Sequence, residues 1–455
     1  MEIDGFQGQL ITADHDEYDA ARCVWNGVID RRPGLIARCG GTADVAAAVR
    51  FARDHDLEIA MRGGGHNVAG TAVCDDGIVI DLSAMRAVGV DPAGRTARVQ
   101  GGALWSDVDH ETQAHGLATT GGIVGHTGVG GLTLGGGIGF LMRKHGLAVD
   151  NLLAAEVVTA EGNIVWASAD EHPELFWALR GGGGNFGIVT TFRFALHPVG
   201  PTVLAGPVFW AADDTADVLR FYREFVAEAP DELGSVVRLG TVPPLPAFAD
   251  ELHWRPAIAV DCCYAGAIAA GERAVRTLRR LGSPLVDLIA PMPYAEHQCA
   301  LDDTFRHGWH YYWKGTDLAG LSDDAIAVIA DHAYAAGSPR SYAAMFHLGG
   351  AVARVPHDAT AYAGRDVSHN IIIDGVWLPE ESGELATAEV AWAQGFLQAL
   401  EPHRADSVYV NFLDSDETDR VREAYGDDVY QRLAEIKAKY DPDNVFHHNR
   451  NVQPA

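Results

Sequence analysis

Three glycine-dense segments constrain this 455-residue chain more than any other feature. The first, Arg62-Gly63-Gly64-Gly65-His66-Asn67, follows an apolar strand candidate, Leu57 to Met61, so a histidine emerges from backbone that carries no side chains. Glycine reaches φ > 0 without cost and lets main-chain N–H groups close on an anion. Such a loop suits a cofactor with a polyphosphate; taken alone it reads equally well as a tight turn with a surface histidine. The second segment, GGIVGHTGVGGLTLGGGIG at 121–139, is the stronger phosphate cradle, because clustered amides from Thr127 to Gly139 would neutralise a pyrophosphate without lysine. The third, RGGGGNFG at 180–187, contains a formal GxGxxG match at Gly182, Gly184 and Gly187. Its context is the reverse of the dinucleotide fingerprint, with a helix before and a strand after. A plain helix-to-strand connection is the competing reading.

Composition narrows the function classes. A formal charge of −28, with the 34 Lys and Arg forming no dense block, argues against nucleic-acid binding. No run of about 18 apolar residues and no basic-then-apolar leader occurs, so neither a membrane span nor a signal peptide is expected, and the expected location is cytoplasmic. The six cysteines, at 23, 39, 74, 262, 263 and 299, are too irregular for a disulfide framework. Cys262 and Cys263 lie on a strand-like segment and should point to opposite faces.

Periodicity places the elements. Thr42 reads as the N-cap of a helix with Val45, Ala48, Val49 and Ala52 on one face. Strands follow at Ile59 to Met61, Ile78 to Leu82 and Thr96 to Gln100, then a helix from Leu104 to His115 and a hairpin from Ala154 to Ser168. Glu174 to Leu179 reads as a short helix and Ile188 to Phe194 as a half-buried strand. From Pro201 to about Arg404, strand candidates (258–264, 309–313, 341–348, 370–373) alternate with amphipathic helices (215–228, 269–281, 323–335, 384–400), the pattern of an antiparallel sheet backed by helices in an α+β fold.

The motifs RGGGHN at 62–67, TGVGGLTLGGGIG at 127–139, GLAVDN at 146–151, ELFWALRGGGGNFGIVT at 174–190, YVNF at 409–412 and KYDPDNVFHHNRNV at 439–452 occur in one order along most of the chain. Together they resemble the berberine bridge enzyme-like branch of the vanillyl-alcohol oxidase superfamily of FAD-linked oxidases. The resemblance implies a PCMH-type FAD-binding domain over residues 1–200, an inserted substrate-binding domain over 201–404, and a return to the first over 405–455. It also implies that His66 is bonded covalently to the 8α-methyl of the flavin. Relatives with a second link use a cysteine in a GGxCPxVGxGG context; Val124 stands at that place here, so the expected tether is FAD through His66 only.

The cofactor contacts implied by the resemblance are Arg62, Gly63, Gly64, Gly65, His66, Asn67 and Gly70 from the first segment. The second contributes Gly121, Thr127, Gly128, Gly131, Gly135, Gly136 and Gly139, the third is followed by Val189, and the tail adds Asn411, Asn449 and Asn451. Capping or turn roles compete for the last two. Tyr409 matches a tyrosine that lies over the ring in sugar-oxidising relatives, although Phe412 departs from the usual Tyr-x-Asn-Tyr pattern and leaves the base open. A phenol near pKa 10 needs a carboxylate or a positive charge beside it to act as a base. Val149 stands where a small residue or valine accompanies oxygen reactivity in relatives, with a plain core valine as the alternative.

Within the inserted region, GWHYYWK at 308–314 and His347 or His369 are candidates to line the substrate pocket. His110, Glu111 and His115 miss the HExxH spacing, and no GxSxG, CxxC or Walker sequence occurs, so no metal is expected. The expected activity is removal of a hydride from an alcohol or carbohydrate hydroxyl to flavin N5, with O2 reduced to H2O2. Oxidation of a C–N bond in an amine or alkaloid-like substrate is the alternative, and a flavin-binding protein without turnover is a third possibility. A polar, sugar-sized groove would mark the first and an apolar pocket the second. The expected partners are a small-molecule substrate and O2, with no nucleic acid and no membrane; the oligomeric state is open.

Overall fold

The computed structural model describes residues 2–455. Three sheets carry the architecture. Strands Gln9–Ile11, Leu35–Arg38, Ile78–Asp81 and Ile59–Arg62 form, in that order, a four-stranded sheet whose first pair is antiparallel and whose other two pairs are parallel. The helix Thr42–Asp54 connects two of them and buries Val45, Ala48, Val49 and Ala52. Thr42 is the first helical residue rather than the cap, because its hydroxyl donates to Glu156 instead of accepting from the helix.

A five-stranded antiparallel sheet follows, in the order Val88–Asp91, Thr96–Gln100, Ile188–Ala195, Leu152–Val158, Ile164–Ser168. The RGGGGNFG segment links the helix Pro173–Leu179 to the strand Ile188–Ala195, so its glycines do serve a helix-to-strand turn.

The third sheet is eight-stranded and antiparallel, with Leu233–Thr241, Tyr342–His347, His369–Trp377 and His310–Leu318 adjacent in that order and Thr202–Ala211 and Pro256–Tyr264 beyond them. Alternation splits its residues between two environments. Val237, Val260, Cys262, Ala343, Met345, Ile371 and Ile373 pack beneath the helices Thr215–Ala227, Asp323–His332 and Glu384–Leu400. Val236, Cys263, Ala344, Phe346 and Ile372 face the other way, toward the glycine-rich segments. Cys262 and Cys263 thus separate as alternation requires. The span expected as one helix over 269–281 breaks into Ile268–Ala274 and a single turn at Leu278–Arg280.

The tail folds back onto the first part of the chain. Lys437, buried on the helix Asp427–Tyr440, donates to the carbonyls of Asn185 at 2.8 Å and Phe446 at 3.0 Å and pairs with Asp441. Burying an ammonium is tolerable only when its three donors are all used, as they are here. This clamp sets the KYDPDNVFHHNRNV segment against the RGGGGNFG loop. Among the described residues no helix is long and apolar enough to cross a membrane.

Candidate active site

One continuous cavity of about 310 Å³ runs between the glycine segments, the eight-stranded sheet and the tail. Its first stretch is nearly all backbone. Gly63, Gly64 and Gly65 oppose Gly128, Gly130 and Gly131, and farther along Gly183, Gly184 and Gly187 lie beside Asn449 and Arg450. A Cβ on Gly64 would meet the Gly128 backbone at 2.6 Å, so the first two loops approach as only glycine allows. A Cβ on Gly131 would meet nothing within 4 Å and would project into open space. The Oδ1 atoms of Asn67 and Asn449 and the Nε of Arg450, all from cavity-lining residues, are enclosed without a protein partner. A side-chain-free trough edged by unused polar atoms fits a long, polar, phosphate-bearing cofactor, and FAD has that form.

His66 follows directly on Gly65, at the first-loop end of the trough. Its ring stacks on Trp25 at 4.3 Å between centroids, and Trp25 stacks in turn on Tyr311 at 3.8 Å, which fixes the plane of the imidazole. Nε2 of His66 and Nδ1 of His126 share a hydrogen bond of 3.0 Å. Burial, followed by the neighbouring His126 and His307, holds the His66 imidazole well below its usual pKa. The ring is therefore neutral near pH 7 and keeps a lone pair, as a nucleophile must. Val124 also lines this cavity.

Tyr409 enters from the tail. Its hydroxyl accepts from the Gly137 N–H at 2.9 Å and from Asn411 Nδ2 at 2.8 Å. Burial pushes the phenol up to about 12, although both hydrogen bonds favour its ionised form. Asn411 also donates to the Leu132 carbonyl at 3.1 Å, which ties tail and cradle together.

Beyond Tyr409 the walls come from the inner face of the large sheet, the loop bearing Leu301 and Phe305, and the tail: Val236, Leu301, Phe305, Trp313, Ala344, Phe346, Ile372 and Phe412. Two polar side chains interrupt this apolar lining. Tyr342 donates to Asp374 Oδ2 at 2.6 Å, and Arg238 lies over the rings of Tyr342 and Phe305 at 5.6 and 5.9 Å. Burial raises the pKa of both Tyr342 and Asp374.

Of the expected site residues, Gly63, Gly64, Gly65, His66, Asn67, Thr127, Gly128, Gly131, Val189, Tyr409, Asn411 and Asn449 line the cavity. Others stand behind it. Arg62 is buried in an ion pair with Asp81 at 2.7 Å and supports the loop from below. Gly70 closes the turn after the loop, its N–H donating to the Asn67 carbonyl at 3.1 Å. Gly121 and Gly139 pack on one another; a Cβ on Gly139 would overlap the Gly121 carbonyl. A Cβ on Gly135 would overlap the Asn411 amide, and one on Gly136 would crowd Tyr362 and Tyr409, so these two admit the tail rather than a ligand. Asn451 does not reach the cavity, and Val149 is fully buried with its N–H on the Gly136 carbonyl at 3.0 Å.

His347 and His369 require correction. They occupy the strand parity of Met345 and Ile371, which faces the helices, and they stack on each other at 5.2 Å away from the cavity. Arg143 Nη1 lies 3.2 Å from His347 Nε2, and burial with that cation drives His347 down to about 2 and His369 to about 4. From GWHYYWK, Trp313 lines the cavity and Tyr311 backs Trp25, while Tyr312 turns outward to Asp416. Trp25, His126, Arg238, Phe305 and Tyr342 are additions that no motif marked. His126 lay in plain view inside the second glycine segment, and Arg238 interrupts an alternating apolar run.

Comparison with known proteins agrees with this geometry. Residues 33–168 match an FAD binding domain model, and residues 408–453 match a model described as berberine and berberine like. The chain is 34% identical to (R)-6-hydroxynicotine oxidase of Paenarthrobacter nicotinovorans, over 98% of this chain and 97% of that one. It is 29% identical to glucooligosaccharide oxidase of Sarocladium strictum, over 97% and 91%. Among solved structures, 6-hydroxy-D-nicotine oxidase from Arthrobacter nicotinovorans superposes with a TM-score of 0.86 at 32% identity, covering 99% of both chains. Xylooligosaccharide oxidase from Myceliophthora thermophila, solved with xylobiose, superposes with a TM-score of 0.85 at 25% identity, covering 98% and 97%. The glucooligosaccharide oxidase of Acremonium strictum, at 25% identity and a TM-score of 0.86 over 98% and 97% of the chains, is described with a 6-S-cysteinyl, 8α-N1-histidyl FAD. With a glycine trough suited to FAD, a fixed neutral histidine at its end and full-length relatives of this kind, the chain belongs to the berberine bridge enzyme-like branch of the vanillyl-alcohol oxidase superfamily, and it is an FAD-linked oxidoreductase.

Proposed function

We propose that this enzyme oxidises the carbon next to nitrogen in a small amine carried on an aromatic or otherwise apolar frame, with FAD attached through His66 alone and O2 as the electron acceptor. The observation that carries this reading is the apolar wall formed by Val236, Leu301, Phe305, Ala344, Phe346, Ile372 and Phe412. Such a wall favours a ring or alkyl body through buried area, roughly 25 cal/mol for each Å² removed from water. It offers few partners to the many hydroxyls of a sugar, whose desolvation would go uncompensated.

The proton inventory points the same way. Bound FAD supplies a hydride acceptor at N5 and passes the electrons to oxygen. A neutral amine that loses a hydride from its α-carbon is stabilised by its own nitrogen lone pair and needs no base in that step. An alcohol does need one. Tyr409 is a poor base, because burial pushes its pKa up to about 12 although both donors on its hydroxyl favour the ionised form. Trp25 and His126 hold the His66 ring in place, and Val124 leaves it as the single attachment point. Val149, packed under the Gly136 carbonyl, supports oxygen reactivity through its resemblance to oxidase relatives.

A second reading rests on Tyr342. Its hydroxyl donates to Asp374 and the Arg238 guanidinium lies over its ring, so a proton taken from an alcohol would pass through Tyr342 to that carboxylate, against the upward shift that burial gives both groups. Anaerobic mixing with matched panels of benzylic amines, benzylic alcohols and oligosaccharides separates the two. Flavin bleaching by the amines alone, followed by peroxide in air, is the expected outcome; bleaching by alcohols or sugars alone overturns it.

A further inference from the structure

Arg238 is a cation that the protein leaves unused. It sits on the strand Leu233–Thr241, on the parity that faces the cavity, between Ala259 and Ala344 of the neighbouring strands. Neither neighbour can accept a hydrogen bond from its side chain. Its Nε is enclosed and has no partner, and among the described residues its guanidinium forms neither a hydrogen bond nor an ion pair. The rings of Tyr342 and Phe305 face the cation but use none of its five N–H donors. Asp261 is the carboxylate whose charge acts on it, and burial raises the pKa of Asp261, so that group is a weak counter-charge. Enclosing an unpaired guanidinium is costly, and a fold that tolerates it commonly completes the pair with a ligand.

The surroundings agree. Arg238 and Tyr342 line both the main cavity and a second one of about 240 Å³, so Arg238 stands where the two join. The second cavity is bordered by Arg306, Arg340, Trp254 and Trp309, with Arg340 over both indoles at 5.7 and 5.6 Å. Arg340 and Arg306 already have carboxylate partners in Glu381 and Asp303. With those two arginines neutralised, one of them by Asp303 of the same lining, Arg238 is the one unpaired cation among the described residues of this approach, a local positive charge on a chain of net charge −28.

We infer that Arg238 is the counter-ion for a carboxylate on the substrate, held in a fork of two N–H donors while the apolar walls hold the substrate's body. This deepens the amine reading and rests on it for the reaction, though not for the anion site: the substrate becomes an apolar or aromatic amine that also carries a carboxylate. Arg238 is then a specificity residue. A lysine there would retain charge but lose the planar fork.

Isothermal titration of the holoenzyme with benzoate and with benzamide, which differ in charge and little in shape, tests the site without turnover. Benzoate should bind at least about tenfold more tightly, as expected for a charge-assisted pair. Arg238→Met should abolish that preference, and Arg238→Lys should keep part of it. Equal binding of the two probes, no binding of benzoate, or a preference that survives Arg238→Met would overturn the inference; the first two outcomes need no variant to fold. Turnover of 4-(methylaminomethyl)benzoate against N-methylbenzylamine then addresses the substrate, the first showing the lower KM. If neither amine bleaches the flavin while benzoate remains selective, the anion site stands and the amine reading falls.

Discussion

Nε2 of His66 lies 3.0 Å from Nδ1 of His126, with the Trp25 indole stacked against the first ring. The pair fixes the orientation of a neutral imidazole at the end of a glycine trough. The trough is independent of that imidazole, so His66→Ala should still bind FAD. If the proposed tether through His66 is present and makes the ring more oxidising, as the resemblance implies, the flavin of this variant should leave the polypeptide entirely on acid precipitation and should bleach more slowly with substrate. Absorbance of the acid supernatant and pellet checks the first part, and stopped-flow bleaching the second.

Gly131→Leu separates the trough from the fold. A Cβ at that position meets no protein atom within 4 Å and lies in the short helix Val129–Leu134, where leucine is favoured over glycine by up to about 1 kcal/mol. The variant should fold with the far-ultraviolet dichroism of the wild type while its flavin-to-protein ratio falls toward zero. Full flavin content in this variant would mean that the cofactor lies elsewhere.

Two tyrosines divide the mechanism. Tyr409→Phe leaves the Gly137 N–H and an Asn411 donor without their acceptor, a loss of about 1–3 kcal/mol of stability, visible as a lower unfolding midpoint. Tyr342→Phe breaks the bond to Asp374. Under the amine reading it should change the bleaching rate by less than about tenfold, whereas loss of a general base costs roughly 10²–10⁴.

Asp109 predicts a dependence on pH. It is 1% exposed, receives one long bond of 3.3 Å from Gln298, and has a second oxygen without a partner. Burial raises its pKa to about 7 from an ordinary 3.8. The folded chain thus holds this proton more tightly than the unfolded chain. Its contribution is fully present below pH 4 and is lost as pH rises toward 7, of order 4 kcal/mol in total. Asp109→Asn has no such proton to lose, so urea unfolding should find it more stable than wild type at pH 8, with the difference shrinking at pH 5.

The sequence made the cofactor half of the site legible because close backbone approach demands glycine, and glycine in runs is visible one residue at a time. The strands at 59–62, 96–100 and 188–195 were equally readable, since each alternates or runs apolar between clear turns. The substrate half was not. Its walls come from alternate residues of Leu233–Thr241, Tyr342–His347 and His369–Trp377, and which parity faces the cavity is decided by tertiary packing. His347 and His369 were drawn to the pocket by residue type and fell on the wrong parity, while Arg238 and Tyr342 fell on the right one without any motif to mark them. Gly135, Gly136 and Gly139 illustrate a related limit: a glycine required by another segment of the chain looks the same in sequence as one required by a ligand.

The central claim is a flavin held by one bond to one imidazole. Proteolysis of the denatured holoprotein followed by mass spectrometry tests it directly. One peptide, containing His66, should carry the added mass of a single FAD, and the peptide containing Val124 should carry none. An unmodified His66 peptide accompanied by free FAD, or a second flavin-linked residue, would contradict the account.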